Sequence, residues 1–186
     1  DWPVVLKPDA GQRGSGVAIV RSTDELEAYL GTIAVDAVIQ EHCTGKEFGV
    51  FYYRDPGEQH GHVFAITEKL FPEVVGDGHS TLEHLILNDR RAVCLARVYM
   101  ERHVARLWDV PAVGERVRLV DIGNHCRGAL FRDGTPLRSA ALEAAFDQVS
   151  HGFEGFYFGR YDVLVPSVED LPAGRAFKII ELNSGT

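Results

Sequence analysis

Short apolar runs separated by glycine and turn residues divide the chain into strands and a few helices. Val4–Lys7 and Val17–Arg21 read as β-branched strands on either side of a glycine loop. Ser22-Thr23-Asp24-Glu25 is a capping box, and Leu26, Tyr29, Leu30 and Ile33 follow at helical spacing. Ala37–His42 and Phe48–Arg54 read as strands, Asp55-Pro56-Gly57 as a turn, and His62–Lys69 as its hairpin partner. Further on, Gly76-Asp77-Gly78 is a turn and Ser80-Thr81-Leu82-Glu83 a second capping box opening a helix. Arg90–His103 reads as a helix, Val117–Ile122 as a strand, and Ser139–Ser150 as a helix with Leu142, Ala145, Phe146 and Val149 on one face. Gly159–Val165 and Phe177–Asn183 are the closing strands. The pattern is α+β, without repeats or low-complexity linkers.

Three segments carry candidate chemistry. In Val4–Val20 the glycines are spaced Gly11-x-x-Gly14-x-Gly16, with Lys7 on the strand before them. Exposed backbone N–H groups of such a loop can converge on a phosphate. The Walker spacing and the dinucleotide spacing are both absent, and a kinase places its glycine loop before the strand lysine. A flap joining two strands over a polyphosphate remains, beside the plainer reading of a mobile hairpin with a surface lysine.

The second segment is C-terminal. Arg160 and Asp162 are two apart and share a strand face, as do Glu181 and Asn183. If the two strands pair, Asp162, Glu181 and Asn183 converge beside Arg160. Two carboxylates held together repel, and a divalent cation offsets that cost. Hard oxygen donors suit Mg²⁺ or Mn²⁺ rather than zinc. Solvated acids on an exposed strand are the competing reading. The third segment, Val38–Glu47, runs a strand into polar residues, a glycine and Glu47. It offers groups for an adenine edge and ribose hydroxyls, or is simply a strand end and turn.

Composition narrows the classes. The 186 residues are 45% hydrophobic and 25% charged, ordinary for a globular protein. The net charge of −8 disfavours nucleic acid. No apolar run approaches the roughly 20 residues of a membrane helix. Cys43, Cys94 and Cys126 lack metal spacing, which favours reduced thiols in a cytoplasm. A start at Asp1-Trp2-Pro3 and a single methionine, Met100, suggest a portion of a longer polypeptide. His60-Gly61-His62 reads as a turn rather than a metal site, the arginines from Arg90 to Arg106 as a solvated helix face, and Trp2 and Trp108 as core or lobe-interface residues. Asn124 and Arg127, in a glycine-marked polar segment, read as a surface turn or as groups presented to a substrate.

Taken in order, the three segments resemble the ATP-grasp superfamily of carboxylate–amine ligases over nearly the whole chain. The nearest resemblance is to D-alanine–D-alanine ligases, cyanophycin synthetases and fused glutathione-forming enzymes. Gly76-Asp77-Gly78-His79-Ser80-Thr81-Leu82 is similar to the GDG-x-x-T-[IL] segment of cyanophycin synthetase-like proteins. The resemblance implies an ATP-grasp fold of two α+β lobes, 1–47 and 48–186, with mainly antiparallel sheets, a nucleotide cleft between them and no N-terminal domain. It implies that Lys7 contacts ATP phosphates and that Gln12, Gly14, Ser15, Gly16 and Val17 belong to the closing flap. Gln40, Glu41, His42 and Cys43 would form the adenine hinge, Glu47 would bind the ribose, and Lys69 would be a further phosphate contact. Arg160 would stabilise the transferring phosphoryl group, and Asp162, Glu181 and Asn183 would hold Mg²⁺. The implied reaction forms an acyl phosphate from ATP and a small-molecule carboxylate, then an amide with an amine. A small-molecule kinase of the same fold and a non-catalytic nucleotide-binding module are the alternatives. The oligomeric state stays open.

Overall fold

In a computed structural model, which describes residues 1–10, 14–121 and 125–184, β-branched residues build the first strands. Strands β1 (Val4–Pro8), β2 (Ala18–Val20) and β3 (Ala37–Glu41) form an antiparallel sheet in the order β2-β1-β3. Strand alternation sends Leu6 and Val20 into a small core. Helix α1 (Thr23–Leu30) starts where Ser22 Oγ accepts from the Glu25 backbone N–H at 3.2 Å. The Glu25 carboxylate reaches back to the Arg21 N–H at 2.9 Å rather than to that of Ser22. These elements make up the first of two compact units, Asp1–Thr44 and Gly45–Thr186.

The second unit is built on a five-stranded antiparallel sheet. Its strands are β4 (Lys46–Tyr53), β5 (His62–Leu70), β8 (Leu130–Asp133), β9 (Phe158–Val165) and β10 (Lys178–Ser184), in the order β10-β9-β4-β5-β8. Phe48, Val50, Tyr52, Tyr161, Val163 and Val165 all point to one face. Helix α4 (Ala140–Ser150) covers that face with Leu142 and Phe146, both fully buried. Burying each such side chain contributes about 1.5–3 kcal/mol. Ser139 caps α4 by accepting from Leu142 N–H at 3.0 Å.

Between β5 and β8, residues 71–120 form a satellite with its own core. It holds a two-stranded ribbon, β6 (Glu73–Val75) and β7 (Arg116–Arg118), with helices α2 (Leu82–Asn88) and α3 (Ala96–Arg102). Several expectations are corrected here. The helix expected over Arg90–His103 is a 3₁₀ turn, Ala92–Leu95, followed by α3, with Leu95 outside helical geometry at φ −124°. The strand expected over Val117–Ile122 ends at Arg118. Thr81, not Ser80, caps α2: Thr81 Oγ1 accepts from the His84 N–H at 3.2 Å, while Asp77 Oδ1 takes the Ser80 N–H at 2.7 Å. Trp108, expected in a core or interface, is 74% exposed, and Trp2 is also exposed. Among the described residues no helix is long and apolar enough to cross a membrane.

One buried carboxylate ties α4 to the β4–β5 hairpin. Asp147 accepts from Tyr52 O–H at 2.7 Å and Gly61 N–H at 2.8 Å, and meets His60 Nδ1 at 2.9 Å. His60 thus has a structural partner, and no third metal ligand is needed to explain it. Burial alone raises the Asp147 pKa, but the hydrogen bonds from Tyr52, His60 and Gly61 outweigh it and hold the carboxyl at about 2. A folded pKa below the roughly 3.9 of a free aspartate stabilises the fold above that pH. The stabilisation is lost as pH falls towards about 2. Asp147→Asn is therefore expected to lower stability at pH 7 by about 1–3 kcal/mol and to flatten the acid limb of the stability profile. Urea unfolding from pH 2 to 7 checks this; wild-type behaviour in the variant contradicts it.

Candidate functional site

The face of the five-stranded sheet opposite α4 carries the polar residues. Strand register decides this. Glu47 lies opposite Lys69, and Asp162 opposite Gly49 and Glu181. Arg160 lies opposite Asn183. Directly opposed residues project to the same side, so Glu47, Lys69, Arg160, Asp162, Glu181 and Asn183 share one surface. A bulge between Ile179 and Glu181 sets the phase of β10, and without it Glu181 and Asn183 would turn to the apolar side.

The charges on this face are interlocked. Lys69 Nζ lies 2.6 Å from Glu47 Oε1 and 3.0 Å from Asp162 Oδ2. Arg160 donates through Nε to Asp162 Oδ1 at 2.8 Å and through Nη2 to Oδ2 at 3.2 Å. Asp162 is only 2% exposed, and Glu47 and Lys69 are buried beside it. With its amide oriented so that nitrogen faces Glu181 and oxygen faces Arg160, Asn183 donates to Glu181 Oε1 and accepts from Arg160 Nη2, each at 3.2 Å, and bridges the two strands. Gly49 leaves room for the Arg160–Asp162 pair. A Cβ there would sit 3.1 Å from Arg160 Cδ and 3.4 Å from Asp162 Oδ1.

This geometry revises the sequence argument about repulsion. The carboxylates were expected to need a cation for compensation, yet Lys69 and Arg160 already neutralise Asp162. Burial pushes the Glu47 pKa up, against the opposing pull of Lys69 and, more weakly, of Arg118. The 2.6 Å contact between Glu47 and Lys69 closes the end of the network.

In the first unit, Lys7 and Gln40 share a face, whereas Glu41 projects to the other side with Leu6. His42 and Cys43 follow the strand, and the Cys43 thiol donates to Glu41 O at 3.6 Å. Of the expected flap, Gln12 and its neighbours Gly11 and Arg13 lie outside the described residues. Gly14 and Gly16 both take positive φ, 70° and 73°. At Gly16 a Cβ would also meet the Pro8 ring at 2.7 Å, so two constraints demand glycine there. Tyr29 O–H donates to Gly16 O at 2.7 Å and anchors the loop end to α1. Ser15 is exposed and Val17 half-buried. Asn124 lies outside the described residues, and Arg127 sits in a 3₁₀ turn whose carbonyl accepts from Tyr99.

Arg118 was missed by sequence reading. Its guanidinium lies 3.4 Å above the Phe71 ring centroid, on a strand too short to show a period. The only signal was an arginine between Val117 and Leu119, an ordinary edge-strand pattern.

No family model matches the chain. A cyanophycin synthetase from Trichormus variabilis is 29% identical over 89 residues, 46% of this chain and 9% of that protein. A bifunctional glutathione synthetase from Pasteurella multocida superposes with a TM-score of 0.46 at 17% identity, over 97% of this chain and 27% of that one. A D-alanine–D-alanine ligase from Bacillus anthracis, solved with ATP, superposes with a TM-score of 0.52 at 15% identity. That match covers 98% of this chain and 43% of the ligase.

The chain has the ATP-grasp fold. It spans under half the length of these solved relatives and about a tenth of the curated one. Among the described residues no group of three or more Asp, Glu, His or Cys side chains gathers for a metal. Two carboxylates and an amide, Asp162, Glu181 and Asn183, do share the polar face of this ATP-grasp sheet. As hard oxygen donors they fit Mg²⁺ or Mn²⁺ in chemical type.

Replacing Lys69 by methionine leaves Glu47 and Asp162 buried without their shared cation. The expected loss is about 3–5 kcal/mol, and Lys69→Met with Glu47→Gln recovers part of it. Urea unfolding of the single and double variants measures this. A single-variant loss below about 1 kcal/mol contradicts the assigned role of the network.

Proposed function

We propose that the chain is the nucleotide-binding portion of an ATP- and Mg²⁺-dependent ligase that joins a small-molecule carboxylate to an amine. The observation that carries this reading is the shared sheet face on which Lys69 and Arg160 stand beside Asp162, Glu181 and Asn183. The cyanophycin synthetase and D-alanine–D-alanine ligase likenesses support it. Lys7, Lys69 and Arg160 offset the charge of the polyphosphate, and Arg160 stabilises the phosphoryl group in transfer. Glu47 accepts from the ribose hydroxyls, and the strand end from Gln40 to Cys43 meets the adenine. The loop from Gln12 to Val17 covers the phosphates and excludes water from an intermediate that water would hydrolyse. Asp162, Glu181 and Asn183 hold Mg²⁺, which supplies further charge neutralisation at the phosphates.

In the first step a carboxylate oxygen bonds to the γ-phosphorus and the bond to ADP breaks, giving an acyl phosphate. In the second an amine nitrogen bonds to the acyl carbon, phosphate leaves and the amine loses a proton. Both steps depend on positioning and charge neutralisation, and neither needs a nucleophile from the protein. The acid and amine enter as small molecules.

Calorimetry with Mg·ATP is expected to give saturable binding that Asp162→Asn with Glu181→Gln removes. A screen of amino-acid pairs on the full-length protein is expected to give phosphate release that requires both partners, and the double variant reduces it to background. A silent titration with folded protein contradicts the nucleotide site. A stable phosphorylated product formed without an amine indicates a kinase instead.

A further inference from the structure

The second unit contains a cavity of about 680 Å³, within the usual range for small-molecule sites. It is lined by Glu47 and Lys69 of the sheet and by Phe71, Arg90, Arg91 and Arg118 of the satellite. It is therefore continuous with the polar sheet face but reaches beyond the groups used there.

The charge balance of the lining is unusual in a chain with a net charge of −8. Lys46, Lys69, Arg90, Arg91 and Arg118 line it, against three acidic side chains. Each of those three is already engaged. Glu47 pairs with Lys69, Glu73 pairs with Arg116, and Asp89 accepts from the backbone N–H groups of Arg91 and Ala92. Among the described residues, no ion pair with a carboxylate is made by Lys46, Arg90, Arg91 or Arg118. The lining thus carries five cationic against three acidic side chains, an excess of positive charge, with Arg118 also within electrostatic reach of Asp121 and Glu47.

Arg118 is the fixed member of the group. Its guanidinium stacks on Phe71, donates from Nε to Val120 O at 2.9 Å and from Nη2 to Asp121 O at 3.4 Å. Stacking and two carbonyls hold the plane, which lowers the entropy lost when its remaining N–H groups meet an anion. A planar fork held in place suits a carboxylate or phosphate better than a mobile lysine does.

We propose that this cavity is an oxyanion subsite centred on Arg118, with Arg90 and Arg91 at its rim, that takes a carboxylate of the ligase's non-nucleotide substrate. The assignment to substrate rests on the ligase reading above; the anion subsite itself does not. It makes Arg118 a specificity-determining residue that favours substrates carrying a carboxylate besides the one that reacts.

The test titrates inorganic phosphate into the full chain, wild type, Arg118→Met, Arg118→Lys and Arg91→Met, with and without saturating Mg·ATP. Circular dichroism and thermal melts confirm that each variant is folded. Arg118→Met is expected to weaken phosphate binding about tenfold or more, the worth of a charge-assisted bond pair. Arg118→Lys falls between it and wild type, and Arg91→Met has a smaller effect that supports the site even if Arg118→Met fails to fold. Phosphate that still binds beside Mg·ATP supports the substrate assignment, whereas displacement by Mg·ATP overturns it in favour of the nucleotide's own phosphates. Wild-type protein that binds no phosphate, or Arg118→Met with unchanged affinity, overturns the subsite. Arg118-dependent phosphate binding in a protein that ignores Mg·ATP leaves the subsite standing and removes the ligase reading alone.

Discussion

A single ammonium group, that of Lys69, lies between two buried carboxylates, Glu47 and Asp162. Each carboxylate alone would be costly to bury at that depth, and two together would repel. The lysine sets one cation against both carboxylates on one sheet face, and the Arg160 guanidinium adds a second against Asp162. Everything proposed for the site depends on this arrangement. It sets a line of alternating charge across β5, β4 and β9, from which cationic and anionic groups can each meet a ligand.

The sheet can present such a line because its two faces have different tasks. Tyr161, Val163 and Val165 point to α4 and fix β9, while Arg160 and Asp162, the intervening residues, are left for the polar side. Gly49, without a side chain, leaves space for Arg160 to lie against Asp162 over β4. Asp147 fastens α4 and the β4–β5 hairpin together through Tyr52 and Gly61. The positions of Glu47 and Lys69 are thus held indirectly by a core on the other face. The satellite of residues 71–120 adds a second wall, with Arg118 stacked on Phe71.

Much of this was legible in the chain because local rules decide it. Alternation in Gly159–Val165 and Phe177–Asn183 gave both strands and the shared face of Arg160, Asp162, Glu181 and Asn183. Ser22 marked a helix start through capping chemistry that needs no distant partner. What escaped depends on contacts remote in sequence. The pairing of Lys69 with Asp162 spans a strand between them, so no spacing reveals it. Strand β8, Leu130–Asp133, has no buried residue and exists because β5 offers it an edge. The helix expected over Arg90–His103 breaks at Leu95, between Ala92 and Tyr99, both buried in the satellite core. Trp108 followed the usual expectation for a large aromatic and is instead exposed.

The most direct measurement is a crystal structure with Mg²⁺ and a non-hydrolysable ATP analogue. The account predicts the polyphosphate against the polar face of the five-stranded sheet, with Lys69 Nζ and the Arg160 guanidinium in hydrogen-bonding contact and the cation on Asp162, Glu181 and Asn183. A nucleotide bound elsewhere, with the Lys69, Glu47 and Asp162 groups untouched by phosphate or metal, would contradict it.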